Sequence, residues 1–243
     1  MTAQPAQIIS YDFGAHNAAL ARGEHTHGNT WKKARVIKIV PSQMMIAAKV
    51  ALSHENLIFP PNQGVYKMLV TGCEVGDAYS RAIEGILAHP DLSQWEYVLT
   101  VESDNIPPPD GVLKLIRRME QNSQFSCIGG LYWCKGPGGS PHIWGDITDP
   151  VVNYRPVMPR AGELVECYGT SMGFNLWRME MFKDKRIERP LFQTLASING
   201  VGTQDLAFWG KVRKFGYRCA VDCDVLVGHH DATGAFGQVD MTW

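Results

Sequence analysis

The stretch Tyr66-Lys-Met-Leu-Val-Thr-Gly-Cys-Glu-Val-Gly-Asp-Ala-Tyr-Ser-Arg-Ala-Ile-Glu-Gly-Ile-Leu87, followed by Tyr97-Val-Leu-Thr-Val-Glu-Ser-Asp-Asn105, decides the fold. Its first six residues are a β-branched and apolar run that Gly72 ends, which predicts a strand. Val75, Ala78, Tyr79, Ala82, Ile83, Ile86 and Leu87 then recur at i, i+3, i+4, i+7, i+8, i+11 and i+12, one apolar stripe along a helix. Tyr97–Val101 is a second strand, and it runs straight into Glu102-Ser103-Asp104-Asn105.

The same alternation extends on both sides. Upstream, Arg35–Val40 predicts a strand stopped by Pro41, and Met44–Leu52 a helix. Downstream, Pro107-Pro108-Pro109 and Asp110 as N-cap open a helix through Met119. Strand and helix alternating three times imply right-handed crossovers and a mainly parallel sheet flanked by helices, an α/β architecture. In open sheets of this type ligands sit beyond the carboxyl ends of the strands. Pro41-Ser42, Gly72-Cys73-Glu74 and Glu102–Asn105 are therefore the segments to search.

The second half is less regular. Ser126–Trp133 predicts a strand entering an exposed loop, Lys135-Gly-Pro-Gly-Gly139. Asn153–Gly162 reads as a connection, and Gly169–Phe182 as a Gly-rich segment ending in a helical turn. Thr203–Phe215 predicts a helix with Thr203 as N-cap, and Tyr217–Val227 a last strand or strand pair ending at Gly228-His229-His230. Residues 1–30 show little periodicity and read as an arm or loop, with His25 and His27 in an exposed stretch. Residues 31–243 read as one domain, since no linker divides them.

The 243 residues are 45% hydrophobic and 19% charged, which suits a globular domain rather than a disordered chain. A net charge of −1 supplies no global basic field for nucleic acid, leaving only local clusters at Lys32-Lys33-Arg35, Lys183–Arg189 and Lys211–Arg218. No apolar run reaches the roughly 18 residues of a membrane helix, and Met1–Ile9 lacks the pattern of a secretory signal. Six cysteines lying mostly in apolar runs read as buried reduced thiols. The expected compartment is the cytoplasm, that of the host if the chain is phage-encoded.

Three segments carry candidate chemistry. Glu102 and Asp104, two apart on an extended chain, point the same way and can share a hard cation with water and phosphate oxygens; the plain alternative is a solvated turn. His229 follows a strand, and a neutral imidazole is a ligand for manganese or zinc. Asp205 opens a helix, where the helix dipole alone favours an acid, and from which a general base could aim into a cleft. A zinc site from Cys219, Cys223, His229 and His230 has the wrong spacing for short zinc loops, and both thiols share parity with Val221 as core. No phosphate loop, dinucleotide fingerprint or serine-hydrolase elbow is present.

In this order and spacing, Val75-Gly76-Asp77-Ala78-Tyr79, Tyr97–Asn105, Pro107–Asp110, Gly129-Gly-Leu-Tyr-Trp133, Gly169-Thr-Ser-Met-Gly-Phe174, Gly202-Thr-Gln-Asp205 and Val227-Gly-His229 resemble glycosyltransferases of the GT-A fold. The nearest likeness is to the family-2-like group of phage and bacterial genomes, over roughly residues 35 to 231. The resemblance implies a Rossmann-like sheet, a UDP- or GDP-sugar donor and Mn2+ or Mg2+. It implies Asp104 and His229 as metal ligands, and Glu102 on the ribose or a metal-bound water, with Glu standing where the D-x-D pattern has Asp. It implies Asp205 as the base of a single, inverting displacement, with Gln204 where Glu is common.

Pro41, Ser42, Glu74, Asp77, Glu102, Ser103, Asp104 and Trp133 are the expected donor contacts. Trp133, Trp144 and Tyr168 are candidates to stack on sugar or base rings, and the 135–139 loop to close over the donor. The expected acceptor is a hydroxyl of a glycan, a small molecule or a hydroxymethylated base in phage DNA. The competing readings are a nucleotidyltransferase, which wants a basic loop that Pro41-Ser42-Gln43 does not offer, and a non-catalytic nucleotide-sugar binding module.

Overall fold

A computed structural model describes residues 7–12, 34–61, 63–135, 138–197, 200–231 and 239–241. His25, His27, Lys32 and Lys33 lie outside them.

The expected alternation is present as β2 (Val36–Ser42), α1 (Ala48–Glu55), β3 (Val65–Thr71), α2 (Val75–Ala88), β4 (Tyr97–Val101) and, beyond the short strand β5 (Asn105–Ile106), α3 (Gly111–Gln121). It continues through β6 (Cys127–Leu131), β7 (Ile143–Asp146), β8 (Leu164–Thr170), β9 (Phe174–Arg178), α4 (Met179–Lys183), α5 (Gln204–Val212), β12 (Cys219–Leu226) and β13 (Gly228–Asp231). A hairpin, β10 (Leu195–Ser197) with β11 (Gly200–Gly202), precedes α5. Of residues 1–30, the described part is an edge strand, β1 (Gln7–Asp12), antiparallel to β3.

The main sheet runs β1-β3-β2-β4-β9-β6-β12-β8-β7. Strands β2, β3, β4, β6, β12 and β7 point one way, and β1, β9 and β8 the other. The Gly-rich 169–182 segment ends in the expected helical turn, at the start of α4, and before it holds the end of β8 and all of β9. β9 inserts between β4 and β6, with Tyr97 opposite Arg178 and Cys127 opposite Trp177.

Each face of the sheet carries a core. All five residues of β4 are buried, so helices must cover both sides. Val98 joins the α2 and α5 side, whereas Tyr97, Leu99 and Val101 join the α3 side. The α2 stripe is realised: Ala78, Tyr79, Ala82, Ile83 and Ile86 are buried. Glu74 caps this helix by accepting from the Gly76 and Asp77 amides at 2.8 and 3.3 Å. Asp110 and Thr203 precede their helices but make no side-chain bond to the helix amides; Asp110 pairs instead with Lys114 at 3.0 Å. The first helix starts at Ala48 rather than Met44, which adopts a φ of 75°. Beyond Val212 the fifth helix tightens into a 3-10 turn, Arg213–Phe215.

The two glycines inside β6 serve close packing. A Cβ on Gly129 would lie 2.1 Å from Asn175 Oδ1, and one on Gly130 2.7 Å from Val227 Cγ2. Cys167 and Cys219 meet across β8 and β12 with sulfurs 3.9 Å apart, fully buried. All six cysteines are free thiols, and no group of three potential metal ligands, zinc-type or other, occurs among the described residues.

Candidate active site

The candidate site forms where β4 ends. After Val101 the chain makes a tight turn, with Asn105 N donating to Glu102 O at 3.2 Å and Glu102 N to Gly173 O at 3.1 Å. β5 then pairs antiparallel with β13, setting Asn105 opposite His229 and Ile106 opposite Gly228. His230 N donates to Asp104 O at 2.7 Å. Two segments 125 positions apart are thus locked by backbone pairing, and that pairing brings Asp104 and His229 together. Behind them His54 Nε2 donates to the Asn105 carbonyl at 3.0 Å; burial pushes this imidazole down to about 3, so it is neutral.

His229 Nε2 faces Asp104 Oδ2 at 3.7 Å, beyond hydrogen-bonding distance. His229 Nδ1 lies 2.7 Å from the Trp133 carbonyl. A carbonyl only accepts, so Nδ1 carries the hydrogen, and in the neutral ring Nε2 presents a lone pair to the carboxylate. This is how a backbone carbonyl orients a metal-binding imidazole. Lys135 Nζ approaches the same Oδ2 at 2.5 Å. Burial alone would raise Asp104, but the His229 imidazole in its protonated form and the Lys135 ammonium outweigh it and hold the carboxyl at about 2.

Glu102 and Asp205 complete the acidic wall. Burial, then the charges of Asp104 and Asp205, push Glu102 up to about 8, with Lys135 opposing. Asp205 is buried in the first turn of α5, where it accepts from Leu206 N at 2.8 Å. Burial raises its pKa, against the hydroxyls of Thr203 and Ser171. Asp205 is held in place by aromatic packing one turn further on. Trp209 stacks on Trp177 at 5.4 Å and donates Nε1 to the Thr170 carbonyl at 3.1 Å, while Phe208 packs on Phe192 at 4.3 Å.

A polar network lies behind this wall. Ser171 Oγ is 2.5 Å from His142 Nδ1 and accepts from Trp144 Nε1 at 2.9 Å. His142 stacks on Tyr132 at 4.2 Å, and the Tyr132 hydroxyl accepts from Gly173 N at 2.9 Å. Burial pushes His142 down to about 3. Sequence reasoning passed over Lys135, His142, Ser171 and Tyr132. Three of them lie in stretches quoted above, but no residue pattern marks the side chain that turns inward.

Four buried side-chain atoms among the described residues lack a hydrogen-bond partner: Ser42 Oγ, Tyr79 Oη, Asn105 Oδ1 and His142 Nε2. Tyr79 feels the charges of Glu102, Asp104 and Asp205, His142 feels those of Asp104 and His229, and Asn105 adjoins Asp104. Native interiors leave few such atoms, so the gathering of three of the four around Glu102 and Asp104 marks a polar site. Asp104 and His229 fit a divalent cation as two protein ligands, the remaining positions being open to phosphate oxygens and water.

The other expected contacts divide. Pro41 and Ser42 end β2, beside β4, and Ser103 lies in the turn itself. Trp133 supplies the carbonyl that orients His229. The Glu74 carboxylate is engaged by the helix amides and by Thr194 Oγ1 at 2.9 Å, and Asp77 by Arg81 at 2.9 Å; neither joins the Asp104–His229 pair. Tyr168 is buried under Arg213, 4.1 Å from its ring, and donates to the Asp149 carbonyl, so it is core rather than a stacking platform.

No protein-family model and no curated protein sequence matches the chain. Solved structures do. A197 from STIV matches at a TM-score of 0.55 and 14% identity, over 80% of this chain and 85% of that one. GalNAc-T7, solved with UDP, GalNAc and Mn2+, matches at a TM-score of 0.56 and 11% identity, over 82% of this chain and 44% of that one. No helix among the described residues is long and apolar enough to cross a membrane. The sheet order, the helices on both its faces and these likenesses together give the chain a GT-A-like α/β fold.

Proposed function

We propose that this chain is a glycosyltransferase that moves a sugar from a UDP- or GDP-sugar to a hydroxyl acceptor. The observation that carries this reading is the approach of Asp104 Oδ2 to His229 Nε2 at the end of β4, with the imidazole turned by the Trp133 carbonyl. These two residues would hold Mn2+ or Mg2+, with Glu102 acting through a bound water or on the ribose. When bound, the ion offsets the charge that develops on the departing diphosphate. Pro41, Ser42 and Ser103 would contact the nucleoside, and Trp133 the sugar.

Asp205 takes the acceptor proton. Its burial raises the carboxyl toward the operating pH, which suits a general base. A single displacement with inversion needs one such base, and the site offers this one. GalNAc-T7, crystallised with UDP, GalNAc and Mn2+, supports the donor and ion classes on a related backbone.

The acceptor is a hydroxyl of a small molecule or glycan. DNA is the less favoured form, because four cations of the basic clusters are paired in place. Arg35 binds Glu96, Lys183 binds Glu180, Arg186 binds Asp184 and Arg218 binds Glu166. Salt-dependent retention on DNA would restore it.

The test is nucleotide release from a panel of UDP- and GDP-sugars with and without Mn2+. The expected result is Mn2+-dependent release that a chelator abolishes and that Asp104→Asn lowers by about 100-fold or more. Turnover indifferent to chelation removes the ion from the reading. Silence with every donor, in protein that still binds UDP, leaves the binding-module alternative instead.

A further inference from the structure

The connection after β6 sends one ammonium into the acidic cleft, and the reaction as described gives it no task. Lys135 Nζ lies 2.5 Å from Asp104 Oδ2, the same oxygen that faces His229 Nε2 at 3.7 Å. A divalent ion held by that oxygen and that imidazole cannot share the seat with an ammonium. Two cations at ligand distance from one oxygen repel each other. The lysine is free to leave. Its side chain is 35% exposed, and its loop is closed at the base by Cys134 N donating to Ser140 O at 2.8 Å and by the Trp133–Pro141 bridge. Withdrawing the ammonium therefore leaves β6 and the carbonyl that orients His229 where they are.

We propose that Lys135 is a placeholder cation: it neutralises Asp104 in the empty cleft, yields that oxygen to the divalent ion, and then pairs with the diphosphate. The proposal rests on the glycosyltransferase reading. In that reaction the bond from the anomeric carbon to the phosphate oxygen breaks with its electron pair on oxygen. The acceptor oxygen bonds to the same carbon, and its proton goes to Asp205. The departing nucleoside diphosphate thus carries one more negative charge than the donor did, and an ammonium released at that moment supplies the matching positive charge.

The two halves predict effects of opposite sign. Without the ammonium the ion meets no competitor, so Mn2+ binds more tightly in the absence of nucleotide, by about 2- to 5-fold for a partly exposed pair. Without it the diphosphate loses a partner, so UDP or GDP at saturating Mn2+ binds more weakly by a similar factor. The measurement is Mn2+ titration followed by the electron paramagnetic resonance of the free ion, then UDP and GDP titration by calorimetry. The proteins are wild type, Lys135→Met, Lys135→Arg and Asp104→Asn, matched for thermal stability. Lys135→Met should shift the two affinities in opposite directions, Lys135→Arg should stay near wild type, and Asp104→Asn should lose Mn2+. Mn2+ affinity unchanged or weakened in Lys135→Met, or nucleotide affinity unchanged, overturns the placeholder role alone. Absence of Asp104-dependent Mn2+ uptake in every variant overturns the glycosyltransferase reading together with it.

Discussion

Replacing Glu102 by Gln tests the electrostatics of the cleft while leaving Asp104 and His229 in place. In the folded protein burial and the carboxylates of Asp104 and Asp205 lift Glu102 from 4.5 to about 8. At full strength that gap corresponds to about 5 kcal/mol. Glu102 keeps partial contact with water, and screening reduces the figure to about 1–2 kcal/mol. The folded value lies above the unfolded one, so the contribution is fully present below about pH 4.5 and is lost as pH rises through about 8. Gln carries no charge and loses nothing over that window. Glu102→Gln should therefore match wild type near pH 4.5 and exceed it by about 1–2 kcal/mol at pH 8.5, or about 2–4 °C per kcal/mol in melting temperature. Urea unfolding at pH 4.5, 7 and 8.5 measures the difference directly. A difference that is constant across pH, or that reverses sign, would show that the three carboxylates do not crowd one another.

Asp205→Asn should lower turnover by about 100- to 10,000-fold while melting no lower than wild type above neutral pH, because the buried carboxylate it replaces has a raised pKa; steady-state kinetics and thermal denaturation together check this. Gly173→Ala should cost about 1–3 kcal/mol in urea unfolding, since its Cβ would sit 2.5 Å from the Tyr132 hydroxyl and 2.6 Å from Asn105 Oδ1. Gly85→Ala is the counter-case: no atom lies within 4 Å of the new Cβ in mid-α2, so helix propensity should raise stability by about 0.5–1 kcal/mol.

The first half of the chain was legible because its order is local. β-branched runs pair in register with the next strand but one helix away, as Ile39 does with Met68, and the α2 stripe recurs every turn. The second half was not. β9 joins the sheet between strands that precede it by about 75 and 45 positions, and its polar Asn175 satisfies Thr170 Oγ1 and the Ser171 carbonyl inside the core. Nothing in the stretch from Gly169 to Phe182 distinguishes such a strand from a Gly-rich loop. Its glycines are there because Leu206, Tyr132 and Asn105 leave no room for a side chain.

The amino-acid order alone determined the layered α/β class and placed acids at the end of one strand, an imidazole after another and an acid at a helix start. These follow from periodicity and from residue type, which act over a few positions. Only the tertiary structure decided that β5 pairs with β13, so that Asp104 meets His229, while Glu74 is taken by the amides of its own helix. It also decided that Lys135 reaches that same carboxylate and that a serine, two aromatic rings and a histidine back Asp205. Such meetings depend on which distant backbones hydrogen-bond and on which side chains the core expels, and neither is written in the spacing of any single segment.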